Sequence, residues 1–202
     1  FQNPEFYKAQ AMRRSTYNLS RILFCSEEFP KHIGLPRGCL PDVENLFNSL
    51  DIEIKLKDER FKGKPLRVGF KGKLRSQQKL SVKELRKHDI GVLSAATAFG
   101  KTVVAAKLIA VRKRNTLILV HRKQLMNQWR DKLSVFLGID PKEIGQISGS
   151  KKHITGKLDV AVIQSLCRKG VVDDIVANYG HVIVDECHHV AALSFEQLMK
   201  KV

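Results

Sequence analysis

From residue 91 onwards, short apolar runs alternate with longer segments that have helical periodicity. The apolar runs are residues 91–95, Thr116–Val120, 160–163 and 182–184, and the helical segments between them include Lys101–Arg112 and Lys123–Leu137. Runs that are apolar at successive positions predict strands buried on both faces. Such strands alternating with helices are typical of an α/β fold, a parallel sheet flanked by helices. Ligands bind beyond the carboxyl ends of these strands, so we expect the chemistry there.

The first 72 residues have a different pattern. It predicts a helix over residues 4–17, a strand over 21–25, a loop over 30–41, a helix over 41–50 and a strand over 51–56. We therefore predict two domains, a small α/β accessory domain (1–72) and a larger α/β domain (73–202). The chain does not begin with Met, and we interpret it as part of a longer protein.

The chain is strongly basic, with 36 Lys and Arg against 20 Asp and Glu and a formal net charge of +16. Residues 60–87 concentrate this charge, with eleven basic residues and one acidic residue. Such an excess favours a polyanionic partner, most often nucleic acid; the alternative is a surface that only improves solubility. No apolar run reaches the roughly 18 residues of a transmembrane helix. With no signal-peptide pattern and four scattered cysteines, we predict a cytoplasmic protein without a membrane partner.

Residues 95–102, Ala-Ala-Thr-Ala-Phe-Gly-Lys-Thr, lie between an apolar run and an amphipathic helix, which is the context of a phosphate-binding loop. In such a loop, backbone N–H groups at a helix N-terminus surround phosphate oxygens. Lys101 would reach the β- and γ-phosphates of a nucleotide, and the Thr102 hydroxyl would bind Mg²⁺. The alternative is an ordinary strand–turn–helix connection, since Ala95 stands where the first Gly is usual.

Asp185 and Glu186 follow the apolar run 182–184 directly. Two adjacent carboxylates at the end of a buried strand are costly unless a cation compensates them. We expect Asp185 to contact Mg²⁺ through its water shell, and Glu186 to orient and deprotonate an attacking water. The alternative is a surface turn without chemistry.

These two motifs resemble those of superfamily 2 helicases. Residues 95–102 match the Walker A motif of that family, and Asp185-Glu186-Cys187-His188 resembles its Asp-Glu-x-His box. The resemblance covers about residues 74–202 and points to the branch that contains the repair helicase of the transcription–repair factor and the translocating subunits of restriction enzymes. It implies a RecA-like P-loop domain that uses ATP and Mg²⁺, with His188 coupling the nucleotide site to motif III. The catalytic residues would be Lys101, Asp185 and Glu186, the Mg²⁺ residues Thr102 and Asp185, and the nucleotide-binding loop residues Thr97, Ala98, Phe99, Gly100, Lys101 and Thr102.

Three further segments match the family in its usual order. Residues 74–78 resemble the element that recognises adenine, which implies Arg75 and Gln78 as nucleotide-binding residues. Residues 116–125 resemble motif Ia and residues 162–166 resemble the Thr-Gln-Ser element, both of which touch one nucleic-acid strand in that family. The implied nucleic-acid-binding residues are His121, Arg122, Lys123, Gln164 and Ser165. For the first three, simple surface charge is the alternative.

Three departures from the family pattern bear on these expectations. Ala98-Phe99 replaces Gly-Ser, so a positive φ at Ala98 would cost energy, and Phe99 is either a packing residue or a nucleotide contact. Ser76-Gln77 replaces Pro-Tyr in the adenine element. The sequence ends sixteen residues after Glu186, before motif III and the second RecA-like lobe with its arginine fingers. We therefore expect that lobe as a missing partner and negligible hydrolysis by this chain alone.

Together these observations predict the ATP-binding motor lobe of a nucleic-acid-dependent ATPase, a helicase or translocase that acts on DNA in preference to RNA. Two alternatives stay open: a clamp-loading or protein-remodelling ATPase, and a non-hydrolysing nucleic-acid-binding module. A zinc cluster is disfavoured because adjacent side chains at a strand end point in opposite directions; its members would be His181, Cys187, His188 and His189. Trp129 is expected to pack its helix rather than stack on a base, and residues 151–153 to form a solvated turn.

Overall fold

The structure, a computed structural model, describes residues 2–149, 151–168, 171–187 and 193–201. It divides into two compact units, Phe1–Asp58 and Glu59–Val202. The sequence places a domain boundary fourteen residues later, after residue 72. Leu66, Val68 and Phe70 pack into the core of the second unit, so the segment 59–72 folds with that unit. The interpretation of residues 1–72 as an accessory domain stays a prediction.

The first unit contains two helices and one hairpin. Its elements are α1 (Pro4–Ala11), the antiparallel strands β1 (Glu27–Phe29) and β2 (His32–Gly34), a 3₁₀ turn (Arg37–Cys39) and α2 (Leu40–Ser49). The side-chain oxygen of Asn3 caps α1 by accepting a hydrogen bond from the Glu5 N–H at 3.0 Å. Pro4 follows at the first helical position, where no N–H donor is needed. The helix predicted over residues 41–50 is confirmed as α2.

Other predictions for this unit are wrong. The helix predicted to reach residue 17 ends at Ala11, and Arg13 has a left-handed φ of 53° that no α-helix continues through. Residues 21–25 form only an isolated bridge between Ile22 and Gln2, and residues 51–56 form no strand. The loop predicted over 30–41 contains β2 and the 3₁₀ turn. Alternating polarity marks a face for burial, but a strand also needs a continuous ladder of hydrogen bonds to a neighbour. Residues 21–25 have only the Ile22–Gln2 bridge, and residues 51–56 pair with no strand among the described residues.

The second unit alternates helices and strands, as predicted. The longer helices are α3 (Ser76–Leu85), α4 (Lys101–Arg112), α5 (Lys123–Leu137) and α7 (Leu193–Lys201), with the short α6 (Ile163–Leu166) between the last two. The strands are β3 (Thr116–Val120), β4 (Gly145–Ser148), β5 (Lys151–His153), β6 (Leu158–Val162), β7 (Cys167–Arg168), β8 (Val171–Val172) and β9 (His181–Val184). Two 3₁₀ turns, Pro141–Glu143 and Asp174–Asn178, complete the unit.

Five of these strands form one sheet in the order β5–β4–β6–β3–β9. β4, β6, β3 and β9 run parallel, and β5 runs antiparallel to β4. On β3, Ile118 and Val120 pack in the core cluster that includes residues of α4 and α5. Leu117 and Leu119, on the opposite face, pack in the cluster that includes Leu198 of α7. The predicted α/β class, a mostly parallel sheet flanked by helices, is therefore confirmed.

Three details of the predicted second unit are corrected. Residues 91–95 form no strand; Leu93 instead packs against a cluster of α3 and α4 side chains, which takes its apolar surface from water without sheet pairing. The run predicted as a strand over 160–163 ends at Val162, where α6 begins. The solvated turn predicted over 151–153 is the strand β5, whose residues are exposed but paired to the edge of β4.

Asn115 joins the segments that lead into the strands at the amino end of the sheet. Its Oδ1 accepts hydrogen bonds from the N–H groups of Lys64 (2.8 Å) and Gly180 (3.1 Å). Its Nδ2 donates to the carbonyl oxygens of Gly156 (3.0 Å) and Asn178 (2.7 Å). The side chain is 1% exposed, so all of this pairing is internal to the protein.

A second polar group at the amino end surrounds Asp159, which is fully buried in β6. Its carboxylate accepts hydrogen bonds from the Thr155 hydroxyl (2.7 Å), the Gly156 N–H (2.8 Å) and the Tyr179 hydroxyl. Nearby, Nδ1 of His181 lies 3.2 Å from the Thr116 hydroxyl. Burial, and secondarily the charge of Arg112, lower the pKa of His181 to about 4, so this imidazole is neutral at physiological pH.

Candidate functional site

The carboxyl end of the sheet carries the side chains that the sequence analysis selected. His121 follows β3, Gln164 follows β6, and Asp185 and Glu186 follow β9. The loop 95–100 precedes α4 and meets the acidic pair through Lys101. The structure thus brings the predicted residues together in two neighbourhoods, a loop with an acidic pair and a basic pocket.

The loop 95–100 makes a tight turn into α4. The Phe99 N–H donates to the Ala96 carbonyl at 3.2 Å, Ala98 has φ 64° and Gly100 has φ 89°. The positive φ expected to be costly at Ala98 is therefore present, at a cost of about 1–2 kcal/mol for an L-residue. Gly100 cannot be replaced without strain, because a Cβ there would lie 2.6 Å from Nε2 of Gln78. In the described part of the chain no side chain caps the start of α4.

The start of α3 holds this loop from the other side. Gln78 is buried; its Oε1 accepts from the Arg75 N–H at 2.9 Å, and its Nε2 donates to the Phe99 carbonyl at 2.7 Å. The Arg75 guanidinium donates to the carbonyls of Ala98 (3.3 Å) and Phe99. The Phe99 ring packs against the cluster of Val82, Val104 and Leu108. Both Gln78, predicted to recognise adenine, and Arg75, predicted to bind nucleotide, thus contact the loop backbone, and Phe99 is a packing residue in this structure.

Lys101 and Glu186 form an ion pair, with Nζ 3.1 Å from Oε1. The pair is partly open to solvent, with side-chain exposures of 37% and 31%. Glu186 has φ 51°, a left-handed conformation that turns the chain sharply after β9. Thr102 follows Lys101 in the first turn of α4 and is half-buried. Because both charged side chains are accessible to solvent, each can leave its partner and bind an oppositely charged group of a ligand.

Asp185 is fixed by its backbone and its side chain. Its N–H donates to the Leu119 carbonyl at 2.9 Å, which continues the β3–β9 ladder by one bond. Its Oδ2 accepts a hydrogen bond from Nε1 of Trp129 at 2.7 Å. The predicted packing of Trp129 is confirmed, since it is 4% exposed within the core. Its contact with Asp185 was missed by the sequence analysis; the available signal was that a buried indole N–H requires an acceptor.

A second neighbourhood is a pocket of about 430 Å³ where β3, β4 and β6 end. Its lining contains all five residues predicted to bind nucleic acid, namely His121, Arg122, Lys123, Gln164 and Ser165. It also contains Ser148, Gly149 and Lys151, which were not selected from the sequence because they belong to the β4–β5 hairpin, outside the matched motifs. The Gly149 N–H donates to the Ser165 hydroxyl at 2.8 Å, which joins the ends of β4 and β6. Arg122, Lys123 and Gln164 are exposed and available to a ligand.

The residues around Lys101 fit a nucleoside triphosphate with Mg²⁺ better than a bare transition metal. Among the described residues, no three His, Cys, Asp or Glu side chains lie close enough to hold a metal ion. His188 and His189 were considered for the disfavoured zinc cluster, and His188 was also predicted to couple the nucleotide site to motif III. Both residues lie outside the described residues. What the site offers is a lysine, a helix start without a side-chain cap, a threonine and two carboxylates, which suit phosphate with a hydrated hard cation.

The parallel sheet with this loop before α4 and the acidic pair after β9 defines a RecA-like fold. The crystal structure of the UvsW helicase from bacteriophage T4 has the same fold, with a TM-score of 0.66 and 15% identity over 100% of this chain and 77% of that chain. At this identity the likeness concerns the fold alone. Residues 71–202 match the family described as "Type III restriction enzyme, res subunit", and the chain belongs to this family.

Two curated proteins illustrate the similarity of this chain to helicases and translocases. The "Putative ATP-dependent RNA helicase L396" of Acanthamoeba polyphaga mimivirus is 27% identical over 86% of this chain and 31% of that protein. The "DNA 3'-5' translocase XPB2" of Sulfurisphaera tokodaii is 31% identical over 74% of this chain and 32% of that protein. The chain thus spans about a third of the length of the curated relatives it matches. These matches confirm the identification of a superfamily 2 helicase RecA-like domain.

No helix in the described ranges is long and apolar enough to cross a bilayer.

Proposed function

We propose that the chain is the ATP-binding motor lobe of a nucleic-acid-dependent ATPase, a helicase or translocase that acts on DNA in preference to RNA. The observation that carries this proposal is the Lys101–Glu186 ion pair, which joins the loop 95–102 to the acidic pair. Membership of the res-subunit family and the helicase and translocase names of relatives support it. The relative named as an RNA helicase keeps the choice of nucleic acid a matter for experiment.

The nucleotide chemistry follows from the ion pair. Lys101 exchanges the Glu186 carboxylate for the β- and γ-phosphate oxygens, while the first N–H groups of α4 bind phosphate. Thr102 and Asp185 would hold Mg²⁺, which neutralises phosphate charge when bound. Glu186, released from Lys101, orients a water molecule and accepts its proton as the water attacks. Arg75 and Gln78 keep the loop in place through hydrogen bonds to the Ala98 and Phe99 carbonyls, and recognition of adenine by Gln78 is part of the proposal.

The pocket formed by His121, Arg122, Lys123, Gln164 and Ser165 binds one strand by its phosphates in this proposal. Cationic side chains and N–H donors at phosphate oxygens give affinity without base specificity. The net charge of +16 supports the same partner by long-range attraction. Turnover needs a second RecA-like lobe that supplies arginine donors to the transition state, so this chain alone hydrolyses ATP negligibly. A cytoplasmic location is part of the proposal.

A second candidate function, a non-hydrolysing nucleotide-dependent module, is favoured by the loop itself. Ala98 holds a strained φ of 64°, and both polar groups of the Gln78 amide contact the protein rather than solvent. A longer protein that includes the second lobe separates the two candidates. Glu186→Gln abolishes ATPase activity but spares ATP binding if the motor proposal is right, whereas a protein without ATPase activity before the substitution supports the module.

Calorimetric titration of this 202-residue chain with ADP and Mg²⁺ tests the nucleotide site. Lys101→Ala is expected to weaken binding by more than about tenfold, because a charge-assisted contact to phosphate is lost. Lys132→Ala, an exposed lysine on α5, is the matched control and leaves the affinity unchanged. Equal affinities of the wild type and Lys101→Ala contradict the proposal.

The salt dependence of binding to single-stranded DNA tests the basic pocket. Each neutralised phosphate contributes roughly 0.7 to the slope of log affinity against log salt, so Arg122→Ala with Lys123→Ala flattens the slope by about 1.4. All base sequences weaken alike. Lys71, Lys73 and Lys79 changed to Ser form the comparison set from the basic segment 60–87. If only the second set of substitutions changes the slope, the nucleic-acid strand binds to the basic segment, and the proposed role of the pocket is contradicted.

A further inference from the structure

We infer that Trp129 is a positioning residue for Asp185, whose carboxylate it orients toward the Mg²⁺–nucleotide complex. The inference rests on the proposed function. Trp129 lies on α5 and Asp185 follows β9, 56 residues later, yet Nε1 and Oδ2 are 2.7 Å apart. A neutral N–H that donates to a carboxylate makes a charge-assisted, directional hydrogen bond.

Packing alone does not account for an indole at this position. Met126, Leu133 and Leu137 lie on the same buried face of α5 and fill the core with side chains that carry no N–H donor. Trp129 is 4% exposed, so its N–H would be left without a partner if Asp185 were absent. Burial of such a donor is tolerated only when an acceptor is supplied. This bond therefore joins a core side chain to the side chain of Asp185 in the acidic pair.

The consequence for Asp185 is a single orientation. The Leu119 carbonyl holds its backbone N–H at 2.9 Å, and Trp129 holds Oδ2. Oδ2 accepts the Trp129 N–H, so we assign Oδ1 to the water shell of a cation. A carboxylate fixed in advance does not have to be ordered when the ligand arrives. Partners that orient metal-site carboxylates in this way affect metal affinity without touching the metal.

Trp129→Phe tests the inference in this 202-residue chain, because it keeps an aromatic ring in the core and removes only the donor. ADP affinity is measured by calorimetry twice, with Mg²⁺ and with a chelator. We expect Trp129→Phe to reduce the affinity gained from Mg²⁺ by about tenfold, the lower range for loss of such a partner, and to leave the Mg²⁺-free affinity unchanged.

Leu133→Ala is the matched control, since it opens the same core cluster and leaves the Trp129–Asp185 bond in place. We expect Leu133→Ala either to change the ADP affinities with and without Mg²⁺ by the same factor or to change neither of them. If Trp129→Phe behaves like Leu133→Ala, Trp129 is only a packing residue and the inference is overturned. If the wild type binds ADP with no dependence on Mg²⁺, the inference is also overturned. If the wild type binds no nucleotide at all, the proposed function fails together with it.

Discussion

The two ends of the central sheet use polar side chains in opposite ways. At the amino end, Asn115 and Asp159 are almost completely buried, and their hydrogen bonds go to other parts of the protein. At the carboxyl end, Lys101, Glu186 and Arg122 are partly or fully exposed, and the Lys101–Glu186 ion pair is open to exchange. We propose that the amino end contributes stability and the carboxyl end contributes binding. Substitutions at each end should therefore affect different measurements.

Asn115→Ala should have the largest effect. It removes four hydrogen bonds of a buried amide, each worth about 1 kcal/mol, so the free energy of unfolding in urea should fall by about 4 kcal/mol. Asn127→Ala, on the exposed face of α5, is the control and should change it by less than about 0.5 kcal/mol. A loss at Asn115 no greater than that of the control would remove the basis for a stability role of the amino end.

Acidification should give the next largest effect. The pKa of His181 is about 4 in the folded protein, below its ordinary value of 6.5, so only the unfolded chain binds the proton between these values. Stability from His181 is thus complete above pH 6.5 and is lost as the pH falls toward 4. Between pH 7.5 and 4.5 the loss should be about 2.5 kcal/mol.

Urea unfolding at these two pH values measures the loss due to His181. His181→Gln should remove this part of the pH dependence, whereas His153→Gln, an exposed histidine on β5, should retain it. Identical pH dependence in both variants would mean that His181 is not buried in the neutral form.

Tyr179→Phe should have a smaller effect at the same end. It removes the hydroxyl that donates to the buried Asp159 carboxylate, and a hydrogen bond to a charged group contributes about 2 kcal/mol. Thermal unfolding of Tyr179→Phe is compared with that of Tyr17→Phe, whose side chain is 94% exposed and whose hydroxyl should contribute nothing measurable. Equal melting temperatures for the two variants would mean that the Tyr179 hydroxyl does not stabilise the protein.

The smallest effect is expected at the carboxyl end, for Ala98→Gly. Relief of the left-handed φ favours the variant by about 1–2 kcal/mol, and the extra freedom of Gly in the unfolded chain offsets about 0.4–1 kcal/mol of this. The free energy of unfolding should therefore rise by at most about 1.6 kcal/mol. Ala96→Gly, two residues earlier and without a positive φ, should lower stability instead. Changes of the same sign in both variants would mean that the loop stores no strain at Ala98.

The local sequence pattern was sufficient to predict the bounds of three elements of the second unit. Lys101–Arg112, Thr116–Val120 and Lys123–Leu137 have the bounds that the sequence predicted, because a continuous apolar run or an amphipathic period determines them. The strands predicted over 51–56 and 91–95 are wrong, because pairing depends on a distant neighbour that no local pattern contains. For the same reason, the sequence did not predict the hydrogen bond from Trp129 to Asp185 or the presence of Lys151 in the lining of the basic pocket.

Trp129 is the only tryptophan in the chain, and it lies in direct contact with the acidic pair. Ultraviolet light at the red edge of indole absorption, where tyrosine absorbs little, therefore excites one fluorophore at one known place. Its emission reports on the surroundings of Asp185 without any attached dye. The chain thus carries its own optical probe, placed where a nucleotide, a cation or a change in β9 would alter the signal first.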